Sequence, residues 1–187
     1  VVAGDYDPDT IRDLIKKYFG EVEKGGDITD VPPQNVSLSE TKRVFYEDDF
    51  AKSPELNMVF PTIEQYTDDA YALSMLGRLL AGGKKAPLYK IIVEEKKLAP
   101  SVSGYNSSQE VTGEFKFRIR AFPGTDLSEV EEAVFEAMKK FETEKFSEDD
   151  LARLKAGIET GFYNGISSVL GKSFQLARYN EYAGSPG

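Results

Sequence analysis

The spacing of apolar residues predicts an amphipathic helix close to the start of the chain. Five apolar residues recur at the interval of one helical face: Ile11, Leu14, Ile15, Tyr18 and Phe19. Asp7 followed by Pro8 is typical of a helix N-cap and a first helical residue, and Gly20 ends the pattern. We therefore expect a helix over about 8–19. Val1–Ala3, before it, has the composition of a short strand.

Four later segments have strand composition. Lys42–Tyr46 and Leu56–Phe60 are short runs rich in apolar residues, and Ser101–Ser107 follows a proline. The strongest pattern is Val111–Phe122, which alternates strictly between apolar and charged residues. One face of this strand should therefore lie against a core, and that face carries Phe115, Phe117, Ile119 and Ala121.

Helical periodicity accounts for most of the remaining chain. The predicted helices are one from about Thr67 to a stop at Gly82-Gly83, one opened by Pro87, one over Asp126–Glu144, one led by Ser147–Asp150 towards Val169, and one over Lys172–Tyr182. Strands come first and helices last along the chain. This order predicts an α+β fold with a mostly antiparallel sheet and helices packed on one face.

The segment between residues 21 and 41 has the composition of a linker, because it contains Gly25-Gly26 and Pro32-Pro33 and shows no sustained period. We expect a domain boundary there. Residues 1–20 would then be separate from the main unit, which would span residues 42–187.

Composition excludes several classes of function. The 187 residues include no histidine and no cysteine, the side chains from which protein zinc sites are mainly built. A formal net charge of -9 without a clustered basic surface argues against a nucleic acid partner. No stretch approaches the roughly 20 apolar residues that a membrane-spanning helix requires.

Several motifs, in this order and at these spacings, resemble the second repeat of the pitrilysin (insulinase-like, M16) zinc metallopeptidases. The resemblance covers nearly the whole chain. The motifs are Val1–Asp5 with Tyr18–Gly20, Leu79–Gly83 followed by Leu88-Tyr89, Leu98–Ser103, and Pro123-Gly124 with Glu131. The resemblance implies the metallopeptidase or processing-peptidase-like fold that this repeat has in the family. It also implies that residues 1–20 are the closing strand and helix of the preceding repeat, and that residues 42–187 are a non-catalytic repeat truncated at its C-terminus.

The resemblance also implies a function. The zinc of the family is held by an HxxEH helix and a distant glutamate in the preceding repeat, so the parent protein would carry the zinc and this chain would carry no cofactor. The chain would be a non-catalytic structural and substrate-positioning domain of a zinc metalloendopeptidase that degrades peptides or small proteins in a closed chamber. Its partners would be other repeats or subunits of the peptidase and the peptide substrate. The alternative is a degenerate, non-hydrolytic family member that acts as an assembly scaffold.

A repeat of this type can also supply an arginine and a tyrosine that point at the substrate carbonyl. Here those places hold Val93 and Pro100, whose side chains donate no hydrogen bond, so this contribution to oxyanion stabilisation is lost. The resemblance further implies that a glycine-rich turn and the strand after it line the chamber, where an extended peptide can add as a strand. The corresponding candidate substrate-binding residues are Gly82, Gly83, Ser103, Gly104 and Tyr105. Gly82 and Gly83 also suit the end of a helix, with positive φ.

Two expectations concern the ends of the chain. Val1–Gly4 would have lost the sheet to which it belongs, so we expect it to pair with a strand between Lys42 and Phe122, in the same molecule or a neighbour. The late aromatic residues are expected in the core or at a domain interface: Phe162, Tyr163, Phe174, Tyr179 and Tyr182. The cell envelope or periplasm and the cytoplasm both stay open as compartments.

We expect the purified chain to bind no zinc at stoichiometric level and to hydrolyse no peptide, because it has neither histidine nor cysteine. Metal analysis after extensive dialysis, together with a peptide cleavage assay, tests this. One tightly bound zinc ion per chain, or cleavage that a chelator abolishes, would contradict the expectation.

Overall fold

A computed structural model of the chain describes residues 1–34 and 36–186. It contains two compact units, one formed by Val1–Val31 with Gly157–Gly187 and the other by Pro32–Ala156. The candidate site lies in the second unit. The boundaries expected after residues 20 and 41 come from composition, whereas these units are defined by their compactness. The expected boundaries therefore stay a prediction.

Nine elements follow one another along the described chain. They are α1 Pro8–Phe19, β1 Glu55–Thr62, α2 Asp68–Ala81, a π-helix Tyr89–Glu95, β2 Ser103–Ser108, β3 Gly113–Arg120, α3 Leu127–Glu144, α4 Glu148–Gly165 and α5 Val169–Tyr182. The α+β class predicted from the sequence is confirmed. No helix among these residues is both long enough and apolar enough to cross a membrane.

The three strands form one antiparallel sheet in the order β1-β3-β2. Phe117 of β3 pairs with Met58 of β1 on one side and with Gly104 of β2 on the other. The central strand is therefore the one with the strict alternation in the sequence. Because β3 has a neighbour on both sides, β1 and β2 are the two edge strands.

The core of the second unit lies against one face of β3. Phe115, Phe117 and Ile119 are at most 5% exposed, whereas Glu114, Lys116, Arg118 and Arg120 alternate with them on the other face. The π-helix and α3 cover the apolar face with four fully buried residues: Ile91, Ile92, Val130 and Val134. Burying each such side chain stabilises the fold by about 1.5–3 kcal/mol.

Most helix starts agree with the prediction because capping residues are local signals, but α5 begins at Val169, after its cap Ser168, and not at Lys172 as predicted. Asp7, Thr67 and Asp126 each accept a hydrogen bond from a backbone N–H in the first turn of α1, α2 and α3. At α4, Ser147 and Asp150 cap each other, since each backbone N–H donates to the other side chain at 3.1 Å. These contacts satisfy donors that have no partner inside the helix.

The helix opened by Pro87 differs from the expectation because its main part is a π-helix. The N–H of Lys96 donates to the carbonyl of Ile91, and the N–H of Leu98 donates to the carbonyl of Ile92, each at 2.9 Å. These bonds span five and six residues instead of four. The wide turns still bury the predicted apolar positions, so the sequence pattern could not distinguish the two helix types.

Two predictions about strands are wrong. Lys42–Tyr46 is not a strand, and Val1–Gly4 joins no strand of the sheet in the described chain. Both segments have strand-like residues, but a strand exists only where its backbone groups find a partner, and segments of four or five residues offer few such bonds. Val1 is 82% exposed and Val44 is 91% exposed.

The helix α2 approaches β2 at a pair of glycines. A Cβ atom on buried Gly77 would lie 2.9 Å from the carbonyl oxygen of Gly104 and 3.0 Å from the Cα of Tyr105. A Cβ on Gly104 would in turn lie 3.0 Å from the ring of Phe117 and 3.1 Å from the Cβ of Ala81. The absence of side chains at both positions is what permits this close contact.

The outer face of the sheet carries a cluster of ion pairs. Glu55 accepts hydrogen bonds from Arg118 at 2.9 and 3.1 Å and from Arg120 at 3.1 Å. The bonds from Arg118, followed by the one from Asn57, lower the pKa of Glu55 to about 2. This carboxylate joins β1 to β3 on the side opposite the core.

We expect Gly77→Ala to destabilise the chain by about 1–3 kcal/mol, because the added methyl group meets the backbone of β2. Gly157→Ala is the matched control, since Gly157 also lies in a helix but a Cβ there meets nothing within 4 Å. Alanine should stabilise that position by about 0.5–1 kcal/mol. Chemical denaturation of both variants measures the difference. Equal effects would mean that α2 does not lie this close to β2.

Glu55→Gln should remove part of the pH dependence of stability. The folded pKa of Glu55 is lowered, so its contribution is present above its ordinary pKa and is lost as the pH falls from about 5 towards 2. We expect a loss of about 0.5–1 kcal/mol at pH 7 and a smaller loss at low pH. Urea denaturation across this range tests it, with Glu142→Gln, an exposed residue of α3, as the control. A pH dependence identical to that of the unmodified chain would contradict the prediction.

Candidate functional site

The candidate substrate-binding residues fall on β2 and on the turn that follows α2. Directly after β2, the N–H of Gln109 donates to the carbonyl of Thr112 in the hairpin. This bond fixes the alternation of hydrogen bonds along β2. Ser103, Tyr105 and Ser107 therefore belong to the pairs that bond to β3. The backbone N–H and C=O groups of Gly104 and Asn106 point to the outer edge.

The turn after α2 lies beside this edge. Ala81, the last residue of α2, is in contact range of Gly104, and Gly82 and Gly83 follow it directly. Gly83 has φ +98, a conformation that residues with side chains rarely adopt, and a Cβ there would meet nothing within 4 Å. Gly82 has φ -80, so the expectation of a positive φ at both glycines holds only for Gly83.

Neighbouring groups cover part of the outer edge of β2. The backbone of α2 at Gly77 lies close to the Gly104 carbonyl. Asn106 accepts a hydrogen bond from Thr62 at 3.0 Å, and Ser108 donates to the carbonyl of Ile63 at 2.8 Å. Both contacts reach β2 from the end of β1 across Gly113 of the central strand, so they lie on the inner side of β2 and do not cover its outer edge. The exposed members of the predicted set are Gly82, Gly83 and Tyr105.

Polar side chains surround Tyr105 on the outer sheet face. Tyr105 is 44% exposed and pairs across the sheet with Lys116, which forms an ion pair with Glu114. The bond to Glu114 is the main cause of the raised pKa of Lys116, and Tyr105 adds to it. The Ser103 hydroxyl donates to the carbonyl of Arg118 at 3.0 Å. This surface offers hydrogen-bonding groups to a ligand but no strongly activated side chain.

Val93 lies in the π-helix, and Pro100 lies in the segment that links the π-helix to β2. Val93 is half-buried within the π-helix, and Pro100 is exposed. Leu98 and Ala99, between them, are buried in the core. The segment is therefore fixed by packing, and the two positions have no side-chain donor.

Zinc does not fit the residues present. Within residues 1–34 and 36–186, no three histidine, cysteine, aspartate or glutamate side chains come together as a metal-ligand set. The sequence also supplies no histidine or cysteine anywhere. We therefore derive no step of zinc chemistry from this chain.

Sequence reasoning missed two residues that shape the site. Gly77 lets α2 approach β2, and Asn106 bonds the end of β1 across the central strand. A glycine inside an otherwise apolar helix is a recognisable signal of close packing, so Gly77 could have been found. Asn106 could not, because its bond to Thr62 joins residues 44 positions apart.

Comparison with known proteins gives three similar structures. A protease from Helicobacter pylori matches 95% of this chain at 20% identity with a TM-score of 0.74, and the match spans 43% of that protein's chain. The peptidase M16 inactive domain from Pseudomonas fluorescens matches 71% of this chain at 16% identity with a TM-score of 0.60, over 31% of its own chain. Complex III2 from Candida albicans contains a chain that matches 97% of this one at 14% identity with a TM-score of 0.64, over 44% of its length.

At these identities the three structures establish a shared fold. This chain spans less than half of the length of each of the three chains. None of the curated proteins compared with it matches.

The family comparison is more specific. Residues 1–158 match the family model of the peptidase M16 inactive domain. This match covers most of the 187 residues and includes the sheet, α2, the π-helix and α3. The chain therefore belongs to the M16 peptidase family, as a domain of the inactive type.

Proposed function

We propose that this inactive domain positions an extended peptide for a zinc-dependent metalloendopeptidase whose metal is held by another repeat. The peptide is held through its backbone at the outer edge of β2, beside the turn at Gly82 and Gly83. The alternation of hydrogen bonds along β2 carries the proposal, because it leaves backbone groups of that strand directed away from β3.

Backbone recognition suits a domain with this composition. A peptide that adds to a strand edge forms main-chain hydrogen bonds, which hold it with little dependence on its side chains. Gly82, Gly83 and Gly104 have no side chains that would keep a second backbone away. A peptidase that accepts varied substrates gains from such a site, since the same bonds form for almost any sequence.

The covered part of the edge limits where the peptide lies. The α2 backbone approaches Gly104 and Tyr105. The open part begins at the exposed residues Pro100 and Ser101 and continues to the glycine turn. We therefore place the peptide along the start of β2 and not along its whole length.

The chemistry of bond cleavage belongs elsewhere in this proposal. Val93 and Pro100 provide no hydrogen-bond donor at the places where the family resemblance would put an arginine and a tyrosine. The domain then contributes orientation and proximity, which act by reducing the entropy that a bound substrate must lose before it reacts.

Alternately N-methylated peptides test this function on the 187-residue chain. An extended peptide is titrated with the chain, in parallel with versions methylated at odd or at even backbone nitrogens. We expect methylation at one parity to weaken binding by about tenfold or more, because strand addition uses every second N–H of the peptide. The other parity should bind nearly unchanged.

Hydrogen exchange locates the bound peptide. The amide of Val102, which the alternation directs to the outer edge, should exchange more slowly with peptide present. Ser103, Tyr105 and Ser107 are already bonded to β3, and the Gly82 and Gly83 amides already donate to the carbonyls of Arg78 and Ala81, so these amides should change little. Equal loss of binding for both parities would contradict strand addition. Protection at Asn57 and Val59 would place the peptide on β1, and no binding at all would favour the scaffold alternative.

A further inference from the structure

Residues 42–48 form an exposed segment that the sheet does not use. Val44 is 91% exposed, Phe45 is 81% exposed and Tyr46 is 85% exposed. In the described chain, no backbone hydrogen bond joins Lys42–Tyr46 to another residue. Three consecutive large apolar residues with free backbone groups are unusual on the surface of a protein that stays unassociated.

An ion pair joins this segment to the rest of its unit. Arg43 donates two hydrogen bonds to Glu131 of α3, from Nη1 to Oε2 at 2.7 Å and from Nη2 to Oε1 at 2.6 Å. The anchor holds the backbone near α3 but leaves Val44, Phe45 and Tyr46 open to solvent. The segment is therefore presented on the surface instead of being buried.

The sequence of the segment is complementary to itself in the antiparallel direction. Reading outward from Phe45, Val44 faces Tyr46 of a second copy, Arg43 faces Glu47, and Lys42 faces Asp48. Each cross-strand pair is thus apolar with apolar or basic with acidic. Such pairs are the unit of stabilisation between neighbouring strands.

Other alignments of the two copies place residues of unlike or repelling character opposite each other. Moving the antiparallel register so that Tyr46 lies on the axis places Val44 opposite Asp48 and Phe45 opposite Glu47. Moving it the other way places Lys42 opposite Tyr46 and Arg43 opposite Phe45. A parallel in-register pair sets every charge against a like charge, which is destabilising. The antiparallel pair centred on Phe45 is the register that matches all positions from 42 to 48.

We propose that residues 42–48 are a homotypic docking strand, which pairs antiparallel with residues 42–48 of a second copy about a two-fold axis at Phe45. The interface is isologous, since the same patch serves both copies. It is independent of the peptide site at β2. Because a two-stranded pair alone is marginally stable in water, the association is weak and depends on protein concentration.

Charge reversal at Lys42 and Asp48 tests the register. Arg43 is less suitable because it already bonds Glu131, whereas only Oδ1 of Asp48 is occupied, by the Phe50 N–H at 2.8 Å. Sedimentation analysis of the 187-residue chain over a concentration series gives the dimer dissociation constant. Lys42→Glu or Asp48→Lys alone should raise this constant on the order of tenfold, and the two together should restore it to within about threefold.

Phe45→Lys places two like charges on the axis and should leave the chain monomeric at every concentration. Ile28→Lys is the matched control, because Ile28 is 91% exposed, comparable to Phe45 at 81%, but lies outside the segment. This variant should dimerise like the unmodified chain. A chain that is monomeric throughout the series overturns the proposal. So does a dimer that survives Phe45→Lys, or one that the double charge reversal fails to restore.

Discussion

The alternation of β3 is the constraint on which the second unit depends. Every backbone group of this strand can bond to β1 or β2, and every second side chain enters the core. The ring of Phe117 packs edge-on against the rings of Phe115 and Phe60, with 5.2 and 6.2 Å between the ring centroids. A shift of one residue would carry Lys116 and Arg118 into the core, so the register is fixed by burial and by the ion pairs to Glu55 together.

The features that could be predicted from the sequence are those set by local periodicity and capping. The alternation of β3 and the caps at Asp7, Thr67 and Asp126 depend on residues within a few positions of one another. The π-helix was not predicted, since its apolar residues recur much as they would in an α-helix. For the site, local signals identified the turn at Gly83 but not the covering of the β2 edge, which depends on contacts distant in sequence.

The wrong predictions have a common physical cause. Lys42–Tyr46 and Val1–Gly4 were assigned from composition, which reports how well a residue tolerates an extended backbone but not whether a partner edge exists. The late aromatic residues are a different case, because they are expected either in a core or at a domain interface. Phe162, Tyr163, Phe174 and Tyr182 are 47–68% exposed, so they are not core residues of the first unit, to which they belong. A role at a domain interface stays a prediction.

The position of the proposed peptide site depends on which backbone groups of the edge strands are accessible. Backbone N–H and C=O groups are chemically alike on every edge, so neighbouring groups decide which edge a peptide can reach. On β1, Pro61 lies among the residues whose backbone points outward and has no N–H to donate. On β2, the α2 backbone lies against the strand at Gly104 and Tyr105. The start of β2 is left, beside a glycine turn that no side chain obstructs, and this makes it the edge where a strand can be added without displacing part of the fold.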